Sequence, residues 1–372
     1  MSIYIILLFV IIFMFLKSKN IVITTLLFFL MLFYIEVVLV DIFFGVGFSE
    51  KASKLSQKDL VISILTLFVF ILYVFNYNIN TNFEFKHRFN KFKLIDIFFF
   101  LIILGFTSYL YYTKGIRFDA SYSELAKSRL PIEDYAMLAI ILVLYLSKGR
   151  YLITFAVLVL VSSYFFAGER LRMFVYLFAL YMMFSKNQNS NYFRAGLFAA
   201  FGLAMLISML RSNFASSDLY HISHFGGVTI SSMYLLDYVQ NLDFLEKTQY
   251  FFGILLGNLV PSSFLPFDFD IRRSLSDYTT VPGGGWLPIW VFATGGYFGF
   301  IVFTTILAVF IRKLSFKIQT NANNAYLLFF IYFVATLSRW FMYTPYQVIR
   351  FPLYILLMYL GYQFIVKTLK KE

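Results

Sequence analysis

Arg170, Arg172, Arg211, Arg272, Arg273, Arg339 and Arg350 each fall beside or just inside an apolar run or in a long polar stretch. Guanidinium is planar and permanently charged, and its fork of N–H groups matches phosphate oxygens two at a time. Charges inside a span are costly and are functional or paired when found there. Two features sharpen the pattern. Ala167-Gly168-Glu169-Arg170-Leu171-Arg172 joins two apolar runs with almost no connector, placing guanidiniums at a membrane edge. Arg211 closes another apolar run, in Met209-Leu210-Arg211-Ser212-Asn213. The bland alternatives are arginines that snorkel to the interface, and Glu169 pairing with one of its neighbours.

Two histidines follow Arg211, at positions 221 and 224, one helical turn apart. A zinc site needs a third ligand. Cys is absent and no His-Glu-x-x-His pattern occurs. The reading is therefore no metal and no cofactor. Histidine is the natural general base near neutral pH, which makes His221 the first choice for that role. Asp268-Phe269-Asp270, with Arg272-Arg273 and Asp277 behind it, is a mixed-charge cluster, and Asp270 is the second choice of base. A solvated loop is its ordinary explanation. Glu36 and Asp41 lie in one half of the second apolar run, where they can pair with arginines.

These residues hang on a very apolar chain. Of 372 residues, 60% are hydrophobic and 13% charged, and the mean hydropathy is +0.78. A soluble domain of this size needs more polar surface, so the fold class is an all-α, polytopic integral membrane protein. The 50 Phe and 28 Tyr are read as codon bias, not as a binding signature. A spanning helix needs about 20 mostly apolar residues. Spans are expected at 2–16, 21–44, 60–76, 94–113, 134–147, 151–168, 171–185, 195–211, 287–311, 325–344 and 347–366, about 11 in one domain covering 1–372. The opening run has its lysines, Lys17 and Lys19, after the apolar stretch and no small-x-small cleavage site, so it reads as a retained first span.

A net charge of +12 would suggest nucleic acid in a soluble protein. Here the positive-inside rule explains most of it, and no nucleic-acid partner is expected. With the N-terminus outside and the C-terminus inside, the inner connectors carry more Lys and Arg than the short outer ones, and few acids. The largest outer stretch is 211–286. Within it, 225–241 and 248–262 are weakly apolar or amphipathic and read as interfacial helices or a re-entrant pair. Pro261, Pro266, Pro282 and Gly283-Gly284-Gly285 mark irregular backbone. No internal repeat is visible, which weighs against inverted-repeat transporters.

The chain resembles the O-antigen and capsule repeat-unit polymerases. The resemblance rests on Ala167-Gly168-Glu169-Arg170 opening a span, on Arg211 before the largest outer loop, and on Val281-Pro282-Gly283-Gly284-Gly285-Trp286 leading to the kink Gly295-Gly296-Tyr297-Phe298-Gly299. It covers residues 165–300. Many members carry an acid between the glycine cluster and the kink. Residues 286–294 have none. The resemblance implies a helical, lipid-linked glycosyltransferase architecture (GT-C-like) in the bacterial inner membrane. Its substrate would be undecaprenyl-pyrophosphate-linked oligosaccharide, joined on the outer, periplasmic side during lipopolysaccharide or capsule synthesis. A polysaccharide chain-length regulator is a candidate partner beside membrane lipid. In that setting Arg170, Arg172, Arg211, Arg272, Arg273, Arg339 and Arg350 are candidates to bind pyrophosphate and sugar, and His221 or Asp270 would take the acceptor proton. The rival readings are an O-antigen ligase on the same substrate, a flippase for it, and a membrane acyltransferase.

Overall fold

The computed structural model describes residues 2–39, 57–81, 93–115, 131–148, 150–167, 169–184, 190–214, 224–261, 264–266, 269–271, 284–320, 324–343 and 345–368. These are helices and connectors, with no strand among the described residues. In chain order the helices are α1 (Ser2–Lys17), α2 (Ile21–Phe33), α3 (Lys58–Asn76), α4 (Leu94–Lys114), α5 (Pro131–Leu146), α6 (Tyr151–Phe166), α7 (Arg170–Phe184), α8 (Ser190–Phe214), α9 (His224–Gln240), α10 (Phe244–Gly257), α11 (Leu287–Thr320), α12 (Asn324–Ala335), α13 (Leu337–Met342) and α14 (Arg350–Thr368). A π-helical segment, Tyr34–Leu39, extends α2.

Among the described residues, four segments suffice by length and composition to cross a bilayer: Lys58–Asn76, Leu94–Lys114, Leu287–Gln319 and Pro345–Thr368. Shorter apolar helices accompany them, among them Ile21–Glu36 and Tyr151–Phe166. The chain is therefore a helical membrane protein. Its apolar surface agrees: Phe98, Leu101 and Ile102 on α4, and Phe364 and Ile365 on α14, are exposed, a cost in water and none in hydrocarbon.

Two compact units divide the chain. The first holds Met1–Thr81, Leu219–Gln319 and Leu337–Arg350. Its central helix is α2, buried at every position from Ile21 to Phe33, as a helix apolar on all sides must be. Asn20 caps it, accepting from the Val22 and Ile23 N–H groups, while Thr24 and Thr25 return their hydroxyls to the carbonyls of Asn20 and Ile21. Polar clips tie neighbouring helices at one end. Asn20 Nδ2 donates to Ser315 Oγ at 3.1 Å, Asn76 Nδ2 to the Ala308 carbonyl at 3.2 Å, and Arg312 Nη1 to the Phe75 carbonyl at 3.0 Å. Trp286 forms the aromatic centre, with ring centroids 5.5 Å from Phe33, 5.8 Å from Phe225 and 5.2 Å from Phe341. Its indole N–H donates to Thr229 and its backbone N–H to Ser232, both on α9. Each aromatic pair adds about 0.5–1.5 kcal/mol beyond burial. The sequence places 225–241 at the interface or in a re-entrant pair. In the structure the matching α9 has Phe225, Met233, Leu235 and Val239 buried and packs on α3 and the π-helical segment. Helix α11 breaks at Gly296, inside the glycine-rich kink, with φ 60° and ψ −164°, a backbone state that glycine alone adopts readily.

The second unit holds Asn82–Asp218, Thr320–Thr336 and Phe351–Glu372. Here α4 lies along α6, α6 along α7, and α7 against α5, α8 and α12. Both ends of α4 are fixed by charge. At its start Asp96 accepts the Lys93 N–H at 2.9 Å and pairs with Arg150. At its end Lys114 enters a buried ion cluster.

Candidate functional site

That cluster is assembled from helix ends. Pro131 opens α5 with Glu133 and Asp134 in its first turn, where acids complement the helix dipole. Lys114 closes α4, where a cation does so. Lys114 Nζ bonds Glu133 Oε2 at 2.7 Å and also Glu169. Arg172 Nη1 bonds Glu133 Oε2 at 2.8 Å and also Glu169, and its Nη2 lies 3.3 Å from Asp134 Oδ1. Among the described contacts, two cations thus face three carboxylates, and Arg172 is only 6% exposed. Burial pushes the Glu169 carboxyl up, but the charges of Arg172 and Lys114 outweigh it and hold the group below its ordinary value. Arg172, expected to bind pyrophosphate, is engaged by carboxylates here. The sequence anticipates Glu169 pairing with a neighbouring arginine, but not the inclusion of Lys114 and Glu133. Their signals are present in hindsight: a lysine ending an apolar run, and a Pro-x-Glu-Asp helix start.

A second constellation is built on α10, in the first unit. Asp243 caps this helix, accepting the Glu246 N–H at 2.7 Å, and Glu246 returns the bond to the Asp243 N–H at 3.0 Å. This capping box fixes where the helix begins. Gly253 and Gly257 then lie four residues apart, on one face. The backbone of Phe269 presses on Gly253 so closely that a Cβ there would sit 1.8 Å from its carbonyl oxygen. The Tyr346 ring presses on Gly257, with a virtual Cβ only 2.1 Å from Cδ1. The two glycines let both segments reach the helix.

Those segments carry two of the candidate residues. Asp270 follows Phe269 and is 2% exposed. Arg350 begins α14, is 7% exposed, and its Nε–H donates to the Gly257 carbonyl at 2.7 Å. A buried guanidinium is costly unless compensated, and the negative end of α10 supplies compensation. Asn258 completes the corner. Its Nδ2 donates to the Ile254 and Pro345 carbonyls at 2.9 and 2.7 Å, and its Oδ1 accepts the Ile349 N–H at 3.2 Å. The backbone just before Asp270 and the Arg350 guanidinium thus meet α10 at Gly253 and Gly257, about 6 Å apart along the helix axis. A carboxylate can take a proton from a hydroxyl, and a guanidinium can stabilise negative charge on a departing oxygen.

The other candidates are placed less fully. Arg339 sits half-buried in α13. Arg170 is the first residue of α7 and Arg211 lies in the last turn of α8, and their side chains are outside what is described. His221, Arg272, Arg273, Asp268, Asp277 and Asp41 lie outside the described residues, while His224 opens α9. Glu36 lies in the π-helical segment. Among the described residues, no group of His, Asp and Glu is arranged to hold a metal ion. A groove of about 180 Å³ between α7 and α8 is lined by apolar side chains such as Leu177, Phe178, Phe193 and Leu197 with Tyr181, and offers no chemistry. No family model matches this chain, and neither a curated protein nor a solved structure does.

Proposed function

We propose that this protein is a lipid-linked glycosyltransferase of the repeat-unit polymerase type, with about 11 spans and a GT-C-like architecture in a bacterial inner membrane. It joins undecaprenyl-pyrophosphate-linked oligosaccharides at the periplasmic face into O-antigen or capsular polysaccharide. The observation that supports this reading is the α10 corner, where the backbone preceding Asp270 packs on Gly253 and Arg350 bonds Gly257. The departing group is a lipid pyrophosphate, so a fixed guanidinium belongs where that charge develops. The acceptor hydroxyl must lose a proton, which His221 or Asp270 takes. Arg170, Arg211, Arg272, Arg273 and Arg339 supply further positive charge toward pyrophosphate and sugar. Arg172 serves first to hold the ends of α4, α5 and α7 together. The test is the surface-polysaccharide ladder of a strain lacking the protein. Collapse to one capped repeat unit supports the polymerase. Loss of all surface repeats points to a ligase or flippase instead, and an unchanged ladder removes the pathway.

A further inference from the structure

Asn258 is the C-terminal cap of α10 and is 5% exposed. Only one orientation of its amide satisfies its surroundings. Two carbonyls, of Ile254 and Pro345, need the NH2 side, and one N–H, of Ile349, needs the oxygen. Both amide hydrogens and the oxygen are therefore used. The bonds to Pro345 and Ile349 hold the two ends of the turn that leads into α14, and the next residue is Arg350. Arg350 in turn donates to Gly257, the residue before Asn258. The contacts form a closed loop: α10 to Asn258, Asn258 to the turn, the turn to Arg350, and Arg350 back to α10. The placing of the Arg350 guanidinium is thus tied to the 345–349 backbone, which Asn258 holds at both ends.

We infer that Asn258 is a positioning residue that aims the Arg350 guanidinium at the phosphate oxygens of the lipid-linked substrate. The inference rests on the proposed function, which supplies the anion. Its distinguishing consequence is coupling. If Asn258 acts through Arg350, replacing it has no further effect once Arg350 is gone, whereas a residue that only supports the fold weakens binding independently.

The experiment uses the full chain in lipid nanodiscs, titrated with undecaprenyl pyrophosphate, as wild type, Asn258→Ala, Arg350→Ala and the double variant. Thermal unfolding of each is measured alongside. Each single variant is expected to bind about tenfold more weakly or worse, the scale of one lost charge-assisted hydrogen bond. The double variant is expected to match Arg350→Ala. Asn258→Asp is the second variant should Asn258→Ala fail to fold. It keeps the acceptor for Ile349 and loses the donors to Ile254 and Pro345, and it too is expected to weaken binding. If wild type binds and the Asn258 variants bind equally well, the positioning role is wrong while the function stands. The same holds if the double variant falls by the product of the two single effects. If wild type does not bind undecaprenyl pyrophosphate, the proposed function fails and the role of Asn258 fails with it.

Discussion

Replacing Gly253 with alanine tests the α10 corner through the sign of its effect. In an ordinary helix interior, Gly→Ala stabilises by about 0.8–1.0 kcal/mol. At Gly253 the new methyl would lie 1.8 Å from the Phe269 carbonyl oxygen. Ordinary C···O contacts sit at about 3.3–3.6 Å, so the 269–271 backbone must retreat by roughly 1.5 Å. Overpacking of this kind costs about 1–3 kcal/mol. At the upper half of that range it exceeds the propensity gain, and the variant is expected to be destabilised by about 1–2 kcal/mol. Gly105, Gly202 and Gly361 are the internal controls. Each lies within a helix, and a Cβ there meets nothing within 4 Å, so alanine should raise stability at all three. Thermal unfolding of the detergent-solubilised variants, read against wild type, gives the signs. Asp270 moves with its segment, and if it is the proposed base, a misplacement of about 1 Å costs on the order of 100-fold in rate. The polysaccharide ladder of Gly253→Ala should therefore collapse. If Gly253→Ala is stabilised like the controls, α10 does not grip the Asp270 segment as described and the site argument falls.

Other expectations concern the ion cluster and the remaining arginine. Arg172→Met removes the cation shared by Glu133, Asp134 and Glu169 and should cost about 3–5 kcal/mol. Glu133→Gln leaves Glu169 between Lys114 and Arg172 and should cost less; equal losses in thermal unfolding would contradict this. The Glu169 carboxyl is held below its ordinary value of 4.5. Its stabilising contribution is thus complete above about that pH and is lost as pH falls through the lowered folded value. Stability measured from pH 7 down to 3 should fall less steeply at the acid end in Glu169→Gln than in wild type. Arg211→Ala should abolish polymer formation while the protein remains inserted, as read by a ladder gel beside a membrane-fraction blot. Full activity in that variant removes Arg211 from the site.

Several helices were legible because each rests on a local signal, although the run 325–344 is found as α12 and α13. The apolar run at 60–76 predicts α3, found at Lys58–Asn76, and 94–113 predicts α4, found at Leu94–Lys114. The kink that formed part of the resemblance falls at Gly296, while Gly295 lets the Phe251 ring approach. What the sequence hides is partnership. Lys114 and Glu169 are 55 residues apart, and Asn258 and Pro345 are 87 apart. No periodicity or cap rule links residues at such separations. Asn258 in particular resembles any asparagine ending a helix, and its importance arises only where a distant turn folds against it. Helix α9 shows the same limit. Its weak amphipathicity leaves an interfacial or a re-entrant helix open, and its contacts with Trp286 and α3 come from distant parts of the chain.

The charge fixed at each end of α4 has a further consequence. The helix has 21 residues and so spans about 32 Å, close to the roughly 30 Å of bilayer hydrocarbon. Asp96 and Lys114 each sit in buried pairs that cannot slide along it. A helix so pinned responds to hydrophobic mismatch only by tilting, or by forcing the lipid to stretch or thin around it. The second unit is therefore matched to one membrane thickness. Reconstitution in shorter or longer acyl chains should strain its two ionic ends before it disturbs the apolar contacts between them.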